Sequence, residues 1–553
     1  MTITMSGGAQ EALDLLARLD ELNAVGIALS RERDIERLLE AILVAAKRIT
    51  NADGGTLYRR HAGDQDRLAF EIIRTDSLGI AMGGTTGAPI PFEPVRLHDA
   101  SGGENTSMVV AYAVLRDTTV NIADAYTEAG FDFSGTRAFD AQTGYRSRSF
   151  LTVPMKNHEG EIISVLQLIN AKDRVTGDVR AFSPADERLA SSLASQAAVA
   201  LTNQLLISQL EDLFESFINL IAEAIDDKSP HTGGHCERVP VLTMLLAEAA
   251  HGTSVGPLAE WQMTARDRYA LRIAGLLHDC GKVVTPVHVV EKATKLQTIH
   301  DRIELLDTRF EVVKRDAEIA MLRARLEAPP GDPAKAGASL ELDLQRRLEA
   351  IDEDRDFLRL TNLGVECMQP EDQQRVQAIS SNYRWRDPGG EMRDFLTDDE
   401  IENLTIRAGT LTEAERRIIN QHIDITIRML ESLPWPKHLK QVPEYAGGHH
   451  ERMDGAGYPR GLTREQMSVQ ARIMGIADIF EALTARDRPY KKGKTLTESL
   501  HILGNFKLRG HIDPDLFDVF VRERVYLRYA EQFLDPEQID EVDVSGIPGY
   551  GGD

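Results

Sequence analysis

The feature that most constrains this fold is a continuous helical pattern of apolar residues near the middle of the chain. Between residues 184 and 228 such residues recur at helical spacing: Leu189, Leu193, Ala197, Leu201, Leu205, Leu206, Leu210, Leu213, Phe217, Ile218 and Ile221. A periodic stretch longer than about 25 residues without a cap is typical of a coiled coil. The alternative is one buried helix of a larger domain. We favour the coiled coil, which predicts a helical connector over 184–228 and a homodimer.

The chain before this helix has the pattern of a sheet. Residues 10–48 show helical apolar spacing, but from about 54 to 172 short runs such as TLYRR, LAFEIIR and ISVLQLIN alternate with Gly and Asp clusters. Such runs are typical of β-strands. The sequence FSPADE at 182–187 then predicts a helix start with Ser183 as its N-cap. We therefore expect a sheet flanked by helices before the connector.

The chain after the connector is predicted to be helical. Residues 235–295 and 411–530 show few strand-like alternations, and a distinct segment at about 297–407 separates them. Within it, helical patterns at 299–326 and 340–360 are separated by the Pro/Gly-rich sequence APPGDPAKAGAS, which predicts an inserted antiparallel helical hairpin. Residues 531–553 are expected to form a loose tail.

Length and charge restrict the classes of function. A chain of 553 residues suggests about two to four domains. Its 63 basic and 87 acidic residues give a net charge of −24, which disfavours broad binding of a nucleic acid polymer but allows one small anion in a local basic pocket. Three cysteines cannot form a disulfide framework, and neither a signal peptide nor a membrane-length apolar run is visible. We expect a cytoplasmic protein without a membrane segment.

Histidines and aspartates in the C-terminal half form the most informative set. They lie at segment ends or beside glycines: His231, His235, His278, Asp279, His422, His449, His450 and Asp478. A single histidine on a helix is more often structural than a ligand. As a set, however, imidazole and carboxylate groups suit Mn, Fe, Co, Ni or Zn. An aspartate among them can bridge two cations, and metals about 3.5–4 Å apart can activate a shared hydroxide for in-line attack on phosphorus.

The two adjacent pairs, His278-Asp279 and His449-His450, carry a geometric expectation. Neighbouring residues on a helix diverge by about 100°. We therefore expect the two members of each pair to serve different metals.

Five motifs place this set in a known family. They are GGHCERV at 233–239, LLHDCGK at 276–282, NQH at 420–422, HHERMDGAGYP at 449–459 and GIADIFEALTARDRPYKK at 475–492. In this order they resemble the HD-GYP family, a branch of the HD metal-dependent phosphohydrolases. The resemblance covers about 210–296 and 408–530. It implies an all-α HD-GYP domain over 229–530 that carries the insertion at 297–407.

The resemblance also implies roles for individual residues. The implied metal ligands are His235, His278, Asp279, His422, His449, His450 and Asp478, with Asp279 as the bridging, catalytic residue. Lys282, also catalytic, would neutralise the phosphate. The implied substrate-binding residues are Lys282, Arg488, Lys491, Gly457 and Tyr458. Some members have a glutamate where this chain has His231 and hold three metals. We therefore expect two divalent transition metals, Fe or Mn, and a third only if His231 is a ligand.

The N-terminal half resembles a GAF domain, an α+β fold with an antiparallel sheet flanked by helices. Its boundaries are expected at 30–183, after an N-terminal helix at 1–29. Asn170, Lys172, Phe182, Asp186 and Glu187 follow the NKFDE pattern of GAF domains in cyclic-nucleotide phosphodiesterases. This resemblance implies a cyclic nucleotide or another small ligand. The alternatives are an empty or purely dimerising domain, in which Lys172 and Asp186 form an internal salt bridge.

These features together predict a multidomain signal-transduction enzyme. We expect it to hydrolyse cyclic di-GMP to pGpG and/or GMP under control of the GAF sensor domain. The alternatives are hydrolysis of another cyclic dinucleotide, cyclic GMP-AMP, and a non-catalytic cyclic-dinucleotide receptor or scaffold. Cys236 and Cys280 adjoin predicted ligands. We interpret them as buried packing residues rather than redox-sensitive thiols.

Overall fold

The computed structural model describes residues 7–61, 64–99, 101–228, 234–327, 333–364, 367–485 and 493–551. The chain divides into two compact units, Met1–Phe214 and Glu215–Asp553. No helix among the described residues has both the length and the apolar character needed to cross a membrane.

The first unit is an α+β fold, as the alternating sequence pattern predicted. Its helices are α1 Gly7–Leu29, α2 Ile35–Thr50, α3 Val109–Leu115 and α4 Ser134–Thr143, followed by α5 Pro184–Asp226, which continues into the second unit. Its strands are β1 Ala52–His61, β2 Asp64–Thr75, β3 Ile80–Gly83, β4 Val95–Arg96, β5 Val120–Ile122, β6 Phe150–Lys156, β7 Ile162–Lys172 and β8 Val179–Arg180. The predicted strands TLYRR, LAFEIIR and ISVLQLIN lie in β1, β2 and β7.

The strands form one antiparallel sheet in the order β3-β2-β1-β7-β6-β5, with β4 paired to β2 and β8 to β7. Alternation along each strand sends side chains to opposite faces. Leu57 pairs with Leu166, and both belong to the core that the sheet forms with α1, α2 and α5. Their neighbours Tyr58 and Val165 belong to a second core, which includes residues of α3. Both sheet faces are therefore covered.

Helix α5 begins where the sequence predicted. The Ser183 hydroxyl accepts a hydrogen bond from the backbone N–H of Asp186, and this N-cap confirms the predicted helix start. The helix then runs without interruption for 43 residues. Its first half packs on the sheet through Leu189, Leu193 and Leu201. Further along the same helix, Leu206, Leu210 and Leu213 are exposed.

The NKFDE-like residues have structural roles in this unit. Lys172 forms an ion pair with the buried Asp53, so the suggested Lys172–Asp186 salt bridge is wrong. Asn170, at a positive φ of 57°, accepts hydrogen bonds from the backbone N–H groups of residues 148 and 149. Phe182 is buried in the core beside α5. Glu187 accepts a hydrogen bond from Asn121.

Asp186 is the anchor of a buried ion-pair network. Its side chain is fully buried and contacts Arg18 at 2.5 Å and Arg180 at 2.7 Å. Burial opposes its ionisation, but hydrogen bonds from Arg180, Ser183 and Arg18 hold the pKa of Asp186 below its usual value. The network joins α1 to the start of α5.

Replacing Asp186 by Ala should destabilise the first unit by about 3–5 kcal/mol, because the mostly buried Arg18 loses its partner. Thermal or denaturant unfolding of the full chain measures this loss. The matched control is Asp178→Ala, since Asp178 is exposed. An equal effect of both substitutions would contradict the anchoring role.

The second unit is built almost entirely of helices. They are α6 His235–Gly252, α7 Ala265–Leu277, α8 Val287–Val290, α9 Ile303–Glu327, α10 Pro333–Asn362, α11 Pro370–Asn382, α12 Asp398–Leu404, α13 Glu413–Asn420, α14 His422–Glu431, α15 Val442–Gly447, α16 Val469–Thr484, α17 Leu496–Leu508, α18 Pro514–Arg522 and α19 Val525–Phe533. A two-stranded ribbon, β9 Arg384–Arg386 and β10 Met392–Asp394, is the exception. Most of the helices begin with an N-cap or with Pro in the first turn, as sequence rules expect.

The insertion contains more than the predicted hairpin. Helices α9 and α10 pack on each other, but α11, α12 and the β9-β10 ribbon complete a small substructure with its own core. That core includes Phe310, Ile351, Phe395 and Leu404. The insertion therefore folds around its own apolar centre.

The segment after α19, expected to be a loose tail, is instead held against the second unit. Gln538 is buried and donates hydrogen bonds from its amide to the backbone carbonyls of Thr484 and Lys494. Ile547 is also buried. These contacts tie a segment with little helical pattern of its own to the second unit.

Candidate metal centre

Five segments of the second unit bring the seven predicted ligands together. His235 is the first residue of α6, and His278-Asp279 follow the last residue of α7. His422 is the first residue of α14, and His449-His450 follow α15. Asp478 lies inside α16. Helix ends thus supply all but one of these side chains, because a chain leaving a helix can turn its side chains into the space between helices.

The side chains form two groups whose donor atoms lie within 4.8 Å of one another. The His235 group consists of His235, His278 and Asp279, and the His422 group consists of His422, His449 and His450. Asp478 adds to the first group, since its Oδ1 lies 3.4 Å from His235 Nε2 and 3.8 Å from His278 Nε2. All seven ligands that the motifs implied therefore meet in one buried centre.

Asp279 stands between the two groups. Its Oδ2 lies 3.2 Å from His235 Nε2 and 3.4 Å from His278 Nε2. Its Oδ1 lies 3.3 Å from His422 Nε2. One oxygen thus faces each group, which is the geometry that a bridging carboxylate requires.

The histidines are oriented by hydrogen bonds at Nδ1. His278 donates to the carbonyl of Gly275 at 2.8 Å, and His449 to that of Ala446 at 2.7 Å. His422 donates in the same way to the carbonyl of residue 419 at 2.5 Å. Each of these bonds leaves Nε2 available to a cation, and a hydrogen-bond acceptor at the other ring nitrogen is the usual arrangement for a metal-binding histidine.

His235 is oriented by a residue that the sequence reasoning missed. Glu481, almost fully buried, accepts a hydrogen bond from His235 Nδ1 at 2.6 Å. Its other oxygen accepts from Arg238 Nε at 2.8 Å. Glu481 lies three residues after Asp478 on α16, so the helical repeat puts both carboxylates on one face. The three-residue spacing between Asp478 and Glu481 is the sequence feature that could have identified Glu481 as part of the site.

The adjacent pairs do not divide between the two groups of donor atoms, and which metal each residue would serve stays a prediction. His278 and Asp279 belong to one group, and His449 and His450 belong to the other. The 100° divergence holds only inside a helix, and both pairs lie where a helix has ended. Asp279, for example, has φ −104° and ψ 10°.

The pKa shifts of Asp279, His449 and His450 favour the protonation states that bind a cation. Burial opposes the charge on Asp279, but Lys282 and the surrounding histidines hold its pKa well below the usual value. Burial and the neighbouring imidazoles hold the pKa of His449 well below its usual value, and burial lowers that of His450 to about 4. Burial opposes the charge on His235, but Glu481, Asp279 and Asp478 hold its pKa well above the usual value, so a metal bound there would displace a proton.

Three orphaned atoms test whether a metal fits here. Among the described residues, Asp279 Oδ1, His422 Nε2 and His449 Nε2 are buried and have no hydrogen-bond partner. Leaving such atoms unsatisfied is costly, at about 1–3 kcal/mol each. A cation held between the two groups would satisfy all three, so the residues present fit a metal centre.

Two of the predicted substrate-binding residues lie beside the centre. Lys282, in the 3₁₀ turn Cys280–Val284, places its ammonium 2.5 Å from Asp279 Oδ2. The ring of Tyr458 stacks on His450, with centroids 4.9 Å apart and an interplanar angle of 23°. Both predicted substrate-binding residues therefore adjoin predicted metal ligands.

The loop at residues 457–459, the Gly-Tyr-Pro loop, is held by the buried carboxylate of Glu451. Glu451, which adjoins the His449-His450 pair, accepts hydrogen bonds from the backbone N–H groups of Arg460 at 2.7 Å and Leu462 at 2.9 Å. Gly457 is required by close approach, since a Cβ there would lie 2.3 Å from the backbone nitrogen of Arg452. Gly457 thus shapes the loop that presents Tyr458.

Gly281 sets the distance between the two groups. A Cβ at this position would lie 1.9 Å from the carbonyl oxygen of His422. Gly281→Ala should push α14 away from the turn that carries Asp279, lowering both metal content and stability, the latter by about 1–3 kcal/mol. Metal analysis and thermal unfolding measure these effects. Gly252→Ala, which meets nothing within 4 Å, is the control and should change neither.

Three predicted site residues lie outside the described part of the chain: His231, Arg488 and Lys491. The cysteines beside the centre are both buried. Burial raises the pKa of the Cys280 thiol to about 11 and raises that of Cys236 further. Both thiols are therefore protonated at neutral pH, which favours the packing role over redox sensing.

Two domain families match this chain. The GAF domain family matches residues 34–201, and the HD domain family matches residues 398–516. The chain therefore contains a GAF domain followed by an HD domain, and the resemblance of the two halves is confirmed. The HD match includes the His422 group and Asp478 but not the His235 group, which only the folded chain brings to the same centre.

Curated relatives carry more specific names. Over 124 residues the chain is 38% identical to the 3′3′-cGAMP-specific phosphodiesterase 1 of Vibrio cholerae, covering 22% of this chain and 27% of that protein. Over 116 residues it is 38% identical to a cyclic di-GMP phosphodiesterase of Pseudomonas aeruginosa, covering 21% and 27%. Over 122 residues it is 35% identical to the cyclic di-GMP phosphodiesterase of Thermotoga maritima, covering 22% and 32%. The matches thus span a third or less of each relative.

Proposed function

We propose that this chain is a metal-dependent phosphodiesterase that hydrolyses cyclic di-GMP to pGpG and/or GMP. The observation that carries the proposal is the position of Asp279, with one oxygen facing each of two groups of ligand-type side chains. The named activity of the relatives from Pseudomonas aeruginosa and Thermotoga maritima supports the same substrate.

The proposed ligand sets follow the two groups. His235, His278, Asp279 and Asp478 would hold one metal, and Asp279, His422, His449 and His450 the other. Two Fe or Mn ions bound there would supply Lewis acidity and an activated water. A third metal would require His231, outside the described residues.

Other residues of the chain would stabilise and bind the substrate. Hydrolysis adds water to one phosphodiester, so that the P–O3′ bond breaks and the 3′ oxygen takes up a proton. Lys282 supplies a positive charge beside Asp279 that would stabilise the charge developing on the phosphate. Tyr458, half-buried and stacked on His450, offers an aromatic face and a hydroxyl to the dinucleotide. Arg488 and Lys491 remain proposed phosphate ligands from the motif alone.

Cyclic GMP-AMP is a second candidate substrate. A relative from Vibrio cholerae, 38% identical over 124 residues, is named for specificity toward 3′3′-cGAMP. Both molecules contain the same kind of 3′,5′-phosphodiester, so one metal centre serves either. The two substrates differ only in their bases, so the protein's contacts with the bases would determine which one is hydrolysed.

The test is product analysis with the purified full chain, loaded anaerobically with Fe(II) or Mn(II) and incubated with each cyclic dinucleotide in turn. We expect a linear dinucleotide or mononucleotides from cyclic di-GMP, and none after the metal is removed with a chelator. Tight binding of cyclic di-GMP without turnover, at full metal occupancy, would support the receptor function instead.

We further propose that a homodimer forms along α5 and that the GAF domain regulates the hydrolase. Leu206, Leu210, Leu213, Phe217 and Leu220 recur on α5 at alternating spacings of four and three, and all are exposed. This is the spacing of a coiled-coil seam, which a second copy of the helix would cover.

Sedimentation of the full chain tests the dimer. Leu210→Glu should yield monomer, because a charge at a seam position opposes pairing. The control is Gln209→Glu, which adds the same charge outside the seam. A monomer in the unmodified protein would contradict the proposal.

A further inference from the structure

The GAF domain contains a cavity of about 450 Å³ on the sheet face opposite α1, α2 and α5. It lies between β1, β2 and β7 of the sheet and helices α3 and α4. We infer that this cavity binds an uncharged, largely apolar aromatic molecule and not a cyclic nucleotide. The inference is independent of the proposed hydrolase activity. The volume is within the range of small-molecule sites, about 300–1,000 Å³.

The walls of the cavity are mainly apolar and aromatic. Tyr58 and Phe70 have ring centroids 4.7 Å apart, and Phe70 continues to Phe92 at 5.5 Å. On the other side Phe133 and Phe150 lie 5.4 Å apart. Rings in tilted arrangements on two sides offer edges and faces to a flat apolar ligand.

Three polar side chains in the walls, Tyr58, Gln167 and Tyr145, are already hydrogen-bonded within the protein. Tyr58 donates from its hydroxyl to Gln167 Oε1 at 3.2 Å, and the amide of Gln167 donates to Thr152 at 3.1 Å. Tyr145 donates from its hydroxyl to Asp53 at 2.7 Å. A ligand that hydrogen-bonds to these three groups would have to break the bonds they already make, and each buried group left unpaired is costly.

The charge of the lining disfavours a phosphate. Among the described residues that line the cavity, the ionisable acids are Glu93 and Asp132, both exposed, and there is no lysine or arginine. A cyclic nucleotide carries a phosphate anion that needs donors or a cation when it is taken from water. Two carboxylates at the cavity would instead repel it.

The NKFDE-like residues do not change this conclusion. Lys172, the cation of that pattern, is ion-paired with Asp53 and is not part of the cavity lining. Asp186 is buried against Arg18 and Arg180. The pattern that suggested a cyclic nucleotide therefore stabilises the domain and contributes no group to the cavity.

The test uses the full chain and the neutral aromatic dye Nile red as the probe. Two variants change the cavity: Thr136→Trp narrows it from α4, and Phe92→Ala removes a ring that is 44% exposed, so that folding is preserved. Thr143→Trp, on α4 outside the lining, is the matched control for the first variant. Thermal unfolding checks that each variant is folded.

We expect Nile red to bind the unmodified chain and the Thr143→Trp variant equally. Its affinity should fall at least about tenfold in both cavity variants, which corresponds to about 1.4 kcal/mol. Cyclic GMP and cyclic AMP should not displace it. Displacement by either nucleotide, unchanged dye affinity in folded Thr136→Trp and Phe92→Ala proteins, or no dye binding at all would overturn the inference.

Discussion

Asp279→Asn should abolish hydrolysis of cyclic di-GMP, with kcat/KM falling by at least about 10³-fold. Asparagine keeps the size of the side chain but loses the charge, and its amide nitrogen cannot ligate a metal. Because Asp279 faces both groups, its loss should reduce metal content at both sites. Metal analysis and product analysis of the same preparation measure the two effects together.

Asp424→Asn is the matched control for this substitution. Asp424 lies on α14 two residues after His422, but it is exposed. It should leave metal content and turnover unchanged. Full metal occupancy with normal turnover in Asp279→Asn would refute the bridging role. If Asp279→Asn loses metal but the unmodified protein shows no turnover either, the result would point to a receptor.

Glu481→Gln should weaken metal binding about 10–100-fold, the usual effect of losing the carboxylate that hydrogen-bonds to a metal-binding histidine. Glutamine can still accept the hydrogen bond from His235 but supplies no negative charge to polarise it. The other three Nδ1 bonds described above end on backbone carbonyls. Glu481 therefore makes the His235 group electrostatically distinct, and its substitution should affect that group selectively.

Titration calorimetry with Mn(II), with thermal unfolding of the metal-free protein alongside, separates a positioning role from a structural one. A positioning role lowers the affinity of one site and leaves the other and the unfolding temperature nearly unchanged. Glu415→Gln is the control, because Glu415 is also part-buried and ion-paired, with Lys292, yet contacts no proposed ligand. Equal metal affinity in Glu481→Gln and the unmodified protein would disprove the positioning role.

Much of the site could be predicted from the sequence because its residue types are typical of metal binding. Few combinations other than a metal centre use His278-Asp279 and His449-His450 together with Asp478, and a glycine-rich loop follows the second pair. Local patterns were equally direct. The Ser183 cap, the uninterrupted period of α5 and the strand alternation around Leu57 depend on neighbouring residues alone.

Other features depended on contacts between residues far apart in the chain. The pairing of Lys172 with Asp53 rather than Asp186 is decided by the register of the sheet, which places β1 beside β7. The insertion's core and the anchored C-terminal segment likewise arise from packing that no local period records.

Residue types and local spacing specify which side chains are available as candidate ligands, where the long helix lies, and that a sheet domain precedes a helical one. The packing of distant helices places Asp279 between two groups, puts both members of each adjacent pair in one group, and brings Glu481 to His235. The difference arises because side-chain orientation is not set by local sequence alone. Residue type and spacing set which chemistry a chain can perform, but the orientation of a side chain at a helix end is set by the helices packed around it.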